Sequence, residues 1–463
     1  MRRATPSWAV TGVLSLSGLV AALNQTLVIP LIPAFPGLLG VSSDDASWFV
    51  TATLVVGAVS IPTVSRLADM YGRRIMLLVC LVIMGVGAVI SGLGASYGLM
   101  IVGRGLAGFG IPLIPIGISV LRDALPPQRV GTAVALMSAT LGIGTALGLP
   151  LSGVLYETLG WRWAFWITAI VAGVLTIAVL VFVPHTLFRH GGRFDVPGAI
   201  LLAVATASTM LVISKGEVWG WGSALTIGLV IIAVLALAVW VVVELRVPAP
   251  LVNLRTSTSR PVLMTNIAAL LVGFALFINL LVAMQQLQAP VETGYGFGFG
   301  VLHASALMIP SGLLMVFLSP ITGRLLDRAG GRIVLLWGVV VMSIGYVLRV
   351  LMSADEAQVV ISTTIVSLGT AFAYAAMPTL IMQSVPESMT AAANGLNTLL
   401  RQVGTSTSSS AVAAALAAGT LVVRGVAYAS WDVLVLLNVL AAVSCVAAAM
   451  FAAIIPRGRR PIE

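Results

Sequence analysis

Ser65-Arg-Leu-Ala-Asp69-Met-Tyr-Gly72-Arg73-Arg74 is a short polar break between two long apolar runs. About 258 residues on, the chain repeats it as Gly323-Arg-Leu325-Leu-Asp327-Arg-Ala-Gly330-Gly-Arg332. Leu67 aligns with Leu325, Asp69 with Asp327, Gly72 with Gly330 and Arg74 with Arg332, without a gap. Each copy sits where one apolar helix would leave a membrane and the next would enter. A basic, glycine-containing turn is common at such places, so one copy alone says little. Two copies in register indicate an internal duplication, and transporters are commonly built that way.

Composition points the same way. The chain has 463 residues, 59% hydrophobic and only 8% charged. So few charges could not cover a soluble domain of this length, which makes the chain a polytopic membrane protein. Cys80 and Cys445 both lie inside apolar runs and read as packing residues, not as a disulfide or metal pair. The three histidines (His185, His190, His303) form no zinc-type spacing, and no metal site is expected. The single lysine, Lys215, follows no glycine-rich loop, so no nucleotide site and no other cofactor is expected. Arg2 and Arg3 precede an apolar run too long for a signal peptide, and the run is read as helix 1.

Apolar windows of about 20 residues give about fourteen helices. Their spans are 9–34, 46–66, 74–94, 97–121, 130–155, 162–184, 197–214, 223–245, 262–288, 300–322, 333–352, 357–383, 390–420 and 432–455. Helices 2 and 10 end in the repeated motif, and helices 7 and 8 have no counterpart in either half. The expected domains are an N-terminal six-helix bundle over 1–184, an inserted pair with linkers over 185–261, and a C-terminal six-helix bundle over 262–463. With the N-terminus inside, the inner loops carry most arginines, among them Arg66, Arg73, Arg122, Arg129, Arg189, Arg193, Arg255, Arg328 and Arg457. The outer side keeps only Arg162, Lys215 and Arg424. This positive-inside bias accounts for the net charge of +9 without any nucleic acid and places both termini in the cytoplasm. A second repeat supports the duplication. Pro126-Pro-Gln-Arg129 runs through Ala133 and Leu136 to Gly144-Thr145, and Pro386-Glu-Ser-Met389 runs through Ala393 and Leu396 to Gly404-Thr405.

On these residues the chain resembles the major facilitator superfamily, and within it the fourteen-helix drug:proton antiporters. The family's loop motif, G-x-L-x-D-x-x-G-R-[KR], is matched by Ser65, Leu67, Asp69, Gly72, Arg73 and Arg74, with Ser in place of the first Gly. Arg104-Gly-Leu-Ala-Gly108-Phe-Gly110 resembles the helix 4 motif. Gly144, Gly148, Pro150, Ser152 and Gly153 loosely match the helix 5 antiporter motif, with the Pro displaced by one and one Gly replaced by Ser. Gln286-Leu-Gln288 to Gly296-Phe-Gly298, then Pro310, is similar to helices 9 and 10 of actinobacterial members. The resemblance implies an all-α integral membrane fold: two six-helix bundles related by pseudo-symmetry, plus two inserted central helices. It also implies alternating access, export from the cytoplasm and coupling to protons.

In the loop motif, Gly72 permits a tight turn and the arginines meet anionic headgroups and helix ends. Asp69 can accept hydrogen bonds from a neighbouring helix N-terminus or pair with an arginine, which suits a latch on one access state; Asp327 and Arg332 are its repeat. Gly144, Gly148 and Ser152 form one small-residue stripe, read either as a seal or as ordinary packing. Charges at membrane depth are costly and more informative. Arg104 lies about two turns into helix 4, and Arg401 lies about 18 Å along helix 13 at 1.5 Å per residue. Arg349 is expected to snorkel from the outer end of helix 11. None of the fifteen carboxylates falls mid-helix. Where fourteen-helix members commonly have an acid in helix 1, this chain reads Leu23-Asn24-Gln25-Thr26, and Asn24 can carry neither a proton nor a charge. Unpaired guanidiniums would make a cavity electropositive and suit a neutral or anionic substrate. Further binding candidates are the polar residues of apolar helices: Asn24, Gln25, Asn279, Gln286, Tyr374, Asn397 and Gln402. Proton carriers would be drawn from Asp123, Glu157 and Glu292.

The expected function is export of a small molecule across a bacterial inner membrane by proton antiport, with rocking of two bundles. The chain is expected to act as a monomer in the lipid bilayer. No catalytic constellation occurs, and an integral membrane enzyme would need buried histidine or carboxylate pairs. Two rivals stand beside this reading: an exporter or facilitator without proton coupling, suggested by Asn24, and a sensor on a transporter scaffold. The tail Arg457-Gly-Arg-Arg-Pro-Ile-Glu463 offers no signalling domain for the sensor.

Overall fold

The computed structural model describes residues 6–32, 34–41, 43–94, 96–184, 194–248, 250–423 and 426–456. Arg2, Arg3, His185, Arg189, His190, Arg193, Arg424 and the tail 457–463, all used in the sequence reading, lie outside the described residues. Among the described residues there are fourteen long helices: α1 (Ser7–Thr26), α2 (Ser43–Tyr71), α3 (Arg73–Leu93), α4 (Tyr97–Ala124), α5 (Pro127–Thr158), α6 (Trp163–Phe182) and α7 (Val196–Trp219), followed by α8 (Ala224–Arg246), α9 (Arg260–Gln288), α10 (Leu302–Ala329), α11 (Gly331–Leu351), α12 (Glu356–Ser384), α13 (Thr390–Ala418) and α14 (Trp431–Ile454). Among the described residues, 12 spans are long and apolar enough to cross a membrane, and bent α5 makes a thirteenth. Pro150 explains a break there, since it cannot donate to the carbonyl four residues back. α13 has the length of a span, but its Thr405-Ser-Thr-Ser-Ser-Ser410 run makes it more polar.

Helix starts follow the capping chemistry of the sequence. Ser96, Asp195, Ser223, Asp355 and Ser430 each accept a hydrogen bond from the backbone N–H three residues on, meeting one of the donors a helix start leaves open. Gly108-Phe-Gly110, ahead of Pro112, tightens the middle of α4 into a 3-10 turn. One departure from an all-helical chain follows α13. There the β-branched run folds as antiparallel β1 (Thr420–Val423) and β2 (Val426–Ala429), pairing Thr420 with Ala429 and Val423 with Val426. Tyr295 Oη donates to the Ala429 carbonyl at 2.5 Å and anchors this hairpin.

The chain divides into two compact units. One comprises Met1–Pro127, Ile143–Leu254 and Pro386–Leu399; the other comprises Gln128–Gly142, Arg255–Val385 and Leu400–Glu463. The start of α5 therefore packs with the second unit and the start of α13 with the first. The inserted pair belongs to the first unit, where α7 packs against α8 and α2. Each unit contains a helix crossing closed by facing glycines. In the first, α3 meets α4 so closely that a Cβ at Gly87 would stand 2.5 Å from the Gly103 carbonyl oxygen. In the second, α11 meets α12, and a Cβ at Gly338 would stand 2.7 Å from the Gly369 carbonyl oxygen. Such small-residue crossings bring backbones into van der Waals contact, the attraction available between helices that lipid surrounds.

Gly87→Ala is expected to destabilise the protein by about 1–3 kcal/mol through overpacking. Gly173 has nothing within 4 Å of an added Cβ, so Gly173→Ala is expected to cause no loss. Both changes gain about 1 kcal/mol of helix propensity, so only the backbone clash separates them. Unfolding midpoints of the two purified variants in detergent provide the comparison.

Candidate functional site

The first copy of the loop motif forms a compact polar knot in the first unit. α2 ends at Tyr71, Gly72 turns with φ 116°, and α3 begins at Arg73. That positive φ suits glycine because a side chain there would be strained. Asp69, two residues before the end of α2, is 3% exposed. Its Oδ2 accepts from the Ala392 N–H at 2.9 Å and its Oδ1 from the Ala391 N–H at 3.3 Å. A carboxylate thus meets the first turn of α13, where backbone donors are open and the helix dipole is positive. Arg73 binds the same carboxylate through Nε at 3.1 Å and Nη2 at 2.9 Å. Its Nη1 donates to Asp123 Oδ2 at 2.5 Å and to the Ser119 carbonyl at 3.1 Å, and its Nη2 reaches the Glu387 carbonyl at 2.6 Å. Arg122 Nη1 donates to Thr390 Oγ1 at 2.6 Å. One guanidinium therefore ties the ends of α2 and α4 to the turn that precedes α13.

The second copy, in the second unit, has the same frame with fewer bonds. Gly330 turns with φ 81°, and Asp327 faces the first turns of α5, where a Cβ at Gly131 would stand 2.8 Å from Asp327 Oδ1. The residue matching Arg73 is Gly331, and among the described residues Asp327 has no ion pair. The last arginine of the motif behaves alike in both units. Arg74 Nη2 donates to the Leu180 carbonyl near the end of α6 at 2.5 Å, and Arg332 Nη2 to the Ala453 carbonyl near the end of α14 at 2.7 Å. A guanidinium at a helix C-terminus meets carbonyls that lack a partner and the negative end of the dipole.

Among the described residues, the embedded arginines are held without carboxylates. Arg104 is 1% exposed; its Nε donates to the Phe49 carbonyl at 3.0 Å, and its Nη1 to the Asn24 carbonyl at 3.1 Å and Asn24 Oδ1 at 3.2 Å. Asn24 Nδ2 donates onward to the Ala107 carbonyl at 3.2 Å. Asn24 is thus the side-chain partner of Arg104, with its amide engaged at both ends. Arg104 Nη2 has no hydrogen-bond partner. Arg401 is buried in the second unit over the Tyr374 ring, 4.5 Å from its centroid. Arg349 does not snorkel: it is 1% exposed and donates to Thr363 Oγ1 and, at 3.2 Å, to Gln286 Oε1. Facing polar partners on α9 and α12 draw it inward. Lys215 also departs from the outer-loop expectation. α7 continues through Trp219, so the ammonium sits in the helix, bound to Ser47 Oγ and 4.9 Å from the Trp48 ring centroid.

The small-residue stripe lies against α1. Thr26 Oγ1 donates to the Gly144 carbonyl at 2.9 Å, Ser152 Oγ donates to the Leu27 carbonyl at 2.5 Å, and a Cβ at Gly148 would meet Thr26. Pro150 and Gly153 are half-buried. Of the remaining binding candidates, Gln25 and Gln402 are half-buried, Asn397 is buried, and Asn279 is buried with Oδ1 lacking a partner. The structure thus joins Asn24 to Arg104, Gln286 to Arg349 and Tyr374 to Arg401. Asp123, expected among possible proton carriers, is the ion-pair partner of Arg73, while Glu157 and Glu292 are exposed. The sequence reading missed Ser119, Arg122, Thr390 and the Glu387 carbonyl. Only the Pro386 repeat marked that turn in the sequence.

Comparison with known proteins agrees with this geometry. The Major Facilitator Superfamily model matches residues 14–409. An MFS-type transporter of Mycobacterium tuberculosis (strain ATCC 25618 / H37Rv) is 31% identical over 334 residues, 71% of this chain and 48% of its own length. The chain therefore spans about half the length of that relative. The tetracenomycin C resistance and export protein of Streptomyces glaucescens is 28% identical over 406 residues, covering 86% of this chain and 73% of the relative. Multidrug resistance protein 3 of Bacillus subtilis (strain 168) is 25% identical over 407 residues, covering 87% and 78%. Among solved structures, the human organic anion transporter MFSD10 (TETRAN) superposes with a TM-score of 0.66 over 96% of this chain and 99% of that one. At 14% identity that likeness is one of fold.

Arg104→Leu removes a donor shared by the Phe49 and Asn24 carbonyls and leaves Asn24 Oδ1 unmet, at about 1–3 kcal/mol for that group. A clear fall in unfolding midpoint is expected. Arg104→Lys recovers only part of it, because an ammonium lacks the planar fork that reaches both helices at once.

Proposed function

Because the chain belongs to the major facilitator superfamily, we propose that it exports small molecules, a drug, antibiotic or metabolite, by alternating access driven by proton antiport. The observation that carries the mechanism is Asp69 on the Ala391 and Ala392 N–H groups. Two relatives whose names specify export or multidrug resistance support the direction and the substrate type. The proposed setting is a bacterial inner membrane, with both termini cytoplasmic and the single chain as the working unit.

In this reading the loop motif is a latch. While Asp69 holds the start of α13, its charge is met by Arg73 and by two backbone donors. Freeing α13 strips those donors away and leaves Arg73 shared between Asp69 and Asp123. The latched state is favoured by the bonds lost, and a substrate or proton shifts the balance only by binding the other state better. The buried guanidiniums of Arg104, Arg349 and Arg401, none with a carboxylate partner among the described residues, favour neutral or anionic substrates. A second reading, an exporter or facilitator without proton coupling, rests on Asn24. Its amide fills the place beside Arg104 where an acid could have carried a proton.

The direct experiment is proton flux in proteoliposomes, read with an internal pH dye while cationic, neutral and anionic compounds are added. Substrate-triggered collapse of the gradient is the expected result, with neutral or anionic compounds responding. Substrate movement without proton flux would establish the uncoupled reading. The latch makes a sharper prediction. Asp69→Asn loses charge-assisted bonds of about 1.5–3 kcal/mol in total, so the state balance and transport rate are expected to change by roughly 10- to 100-fold. Asp327→Asn, at the copy without an ion pair, is expected to change transport much less. Equal, small effects of both substitutions would remove the latch.

A further inference from the structure

The two copies of the loop motif differ at their first position, Ser65 in one and Gly323 in the other. That difference has a counterpart in the helix each one meets. Ser65 is fully buried on α2. Facing it is Gly395, buried on the part of α13 that belongs to the same unit. A Cβ at Gly395 would stand 2.6 Å from Ser65 Oγ, 2.8 Å from Ser65 Cβ and 3.3 Å from the Ile61 carbonyl oxygen. Turning the hydroxyl aside would relieve only the first of these overlaps, because the backbone fixes Ser65 Cβ. In the second unit the motif helix itself carries the glycine. A Cβ at Gly323 would stand 2.4 Å from Thr132 Oγ1 and 2.5 Å from Thr132 Cα on α5. Both crossings are closed by a glycine, and the first unit carries it on the partner helix.

This crossing is continuous with the Asp69 bonds. Ser65 and Asp69 are four residues apart on α2, and Ala391 and Gly395 are four apart on α13, so each pair lies on one helix face. One turn back along α2, from Asp69 to Ser65, corresponds to one turn forward along α13, from Ala391 to Gly395. The two contacts form one seam, and the spacing at Gly395 sets the spacing at Asp69. Little slack is available there. The bond from the Ala391 N–H to Asp69 Oδ1 is already 3.3 Å long, and a few tenths of an ångström more would end it. Ser65 adds no bond to the seam, since its Oγ is buried without a hydrogen-bond partner. What it contributes is its shape.

We propose that Gly395 is the residue that positions α13 on Asp69. Having no side chain, it lets Ser65 seat against α13 and so keeps the Ala391 and Ala392 N–H groups within reach of the carboxylate. Ser65 and Gly395 act as a pair, and the seam closes when either of them is the glycine. The consequence for transport rests on the latch reading, whereas the consequence for the Asp69 bonds rests on the crossing alone.

The test is hydrogen–deuterium exchange of the full chain purified in detergent, read by mass spectrometry on peptides that span the start of α13. The N–H groups of a first helical turn have no acceptor within their own helix, so protection at Ala391 and Ala392 reports the Asp69 bonds. Gly395→Ala is expected to speed exchange there by about 5- to 100-fold, the range that overpacking gives. Alanine is the better helix former, so the clash alone accounts for that direction. Ser65→Gly loses no hydrogen bond and is expected to exchange like wild type. Joining it to Gly395→Ala removes both Ser65 overlaps and leaves only the 3.3 Å approach to the Ile61 carbonyl. That double variant is expected to recover most of the protection. Peptides from α3 and α6 are expected to stay unchanged throughout, which separates a local release from general loosening. Unchanged exchange in Gly395→Ala, or no recovery in the double variant, would overturn the proposal. If Gly395→Ala alone does not fold, a double variant that folds with wild-type protection supports the pairing, and one that also fails to fold overturns it. Transport by the same proteins tests the other reading: fast exchange with an unchanged transport rate would remove the latch and leave the positioning role of Gly395 standing.

Discussion

A guanidinium buried in a helical membrane protein must find oxygen atoms, and this chain supplies most of them from its backbone. Arg104 takes the carbonyls of Phe49 and Asn24, Arg73 those of Ser119 and Glu387, Arg74 that of Leu180 and Arg332 that of Ala453. A carbonyl has two lone pairs, so a helix can lend one to a guanidinium and keep its own hydrogen bond with the other. Arg104 ties its helix to two neighbours through carbonyls and one amide, whereas Arg73 adds the carboxylates of Asp69 and Asp123. That economy fits a composition with only 15 acids against 24 basic residues. It also explains why Arg104 tolerates an amide, Asn24, as its one side-chain partner.

The helix framework was legible in the sequence because hydropathy along a chain reports depth in a membrane, and each break carried its own chemistry. Ser, Asp and Gly at the boundaries became caps and turns, and the repeated Asp-x-x-Gly marked two equivalent turns. Hydropathy does not report which neighbour a residue faces. Arg349 lies one turn from a helix end, so its position suggested the membrane surface; Gln286 and Thr363, from other helices, decide otherwise. Lys215 was misplaced for a simpler reason, since α7 runs five residues past its apolar window. Glu244 lies in the last turn of α8, a place that usually meets solvent or headgroups, yet it is buried. It is covered by the return of the chain at Leu251 and Val252, a contact that leaves no trace in local composition.

The candidate site was legible in its residues but not in its connections. Asp69, Arg73 and Asp123 are spaced so that nothing in the sequence joins the last to the first two. The pairing arises because α3 packs against α4 through Gly87 and Gly103, which brings the end of α4 beside the start of α3. Small residues placed far from the motif thus decide which charges meet. The partner of Asp69 was equally hidden, because it consists of backbone N–H groups, which every residue but proline carries.

The two motif copies separate what builds the turn from what the proposed latch adds to it. Both keep a glycine with positive φ, an aspartate facing the start of a helix, and an arginine on a carbonyl near a helix end, in α6 and α14. These shared features make the turn, and both units have it. Arg73 and Asp123 are matched in the second copy by Gly331 and Gln383, so the ion pair belongs to the first alone. The difference has an energetic meaning. With Arg73 present, releasing α13 leaves Asp69 still paired and soluble in its surroundings, so the release costs the helix contacts but not a bare buried charge. Asp327 is exposed, so solvent or headgroups can meet its charge without a partner, and it makes only a looser contact with α5. In the proposed latch the burial of Asp69 makes the fallback partner Arg73 necessary, which is the physical reason to test switching at the first copy.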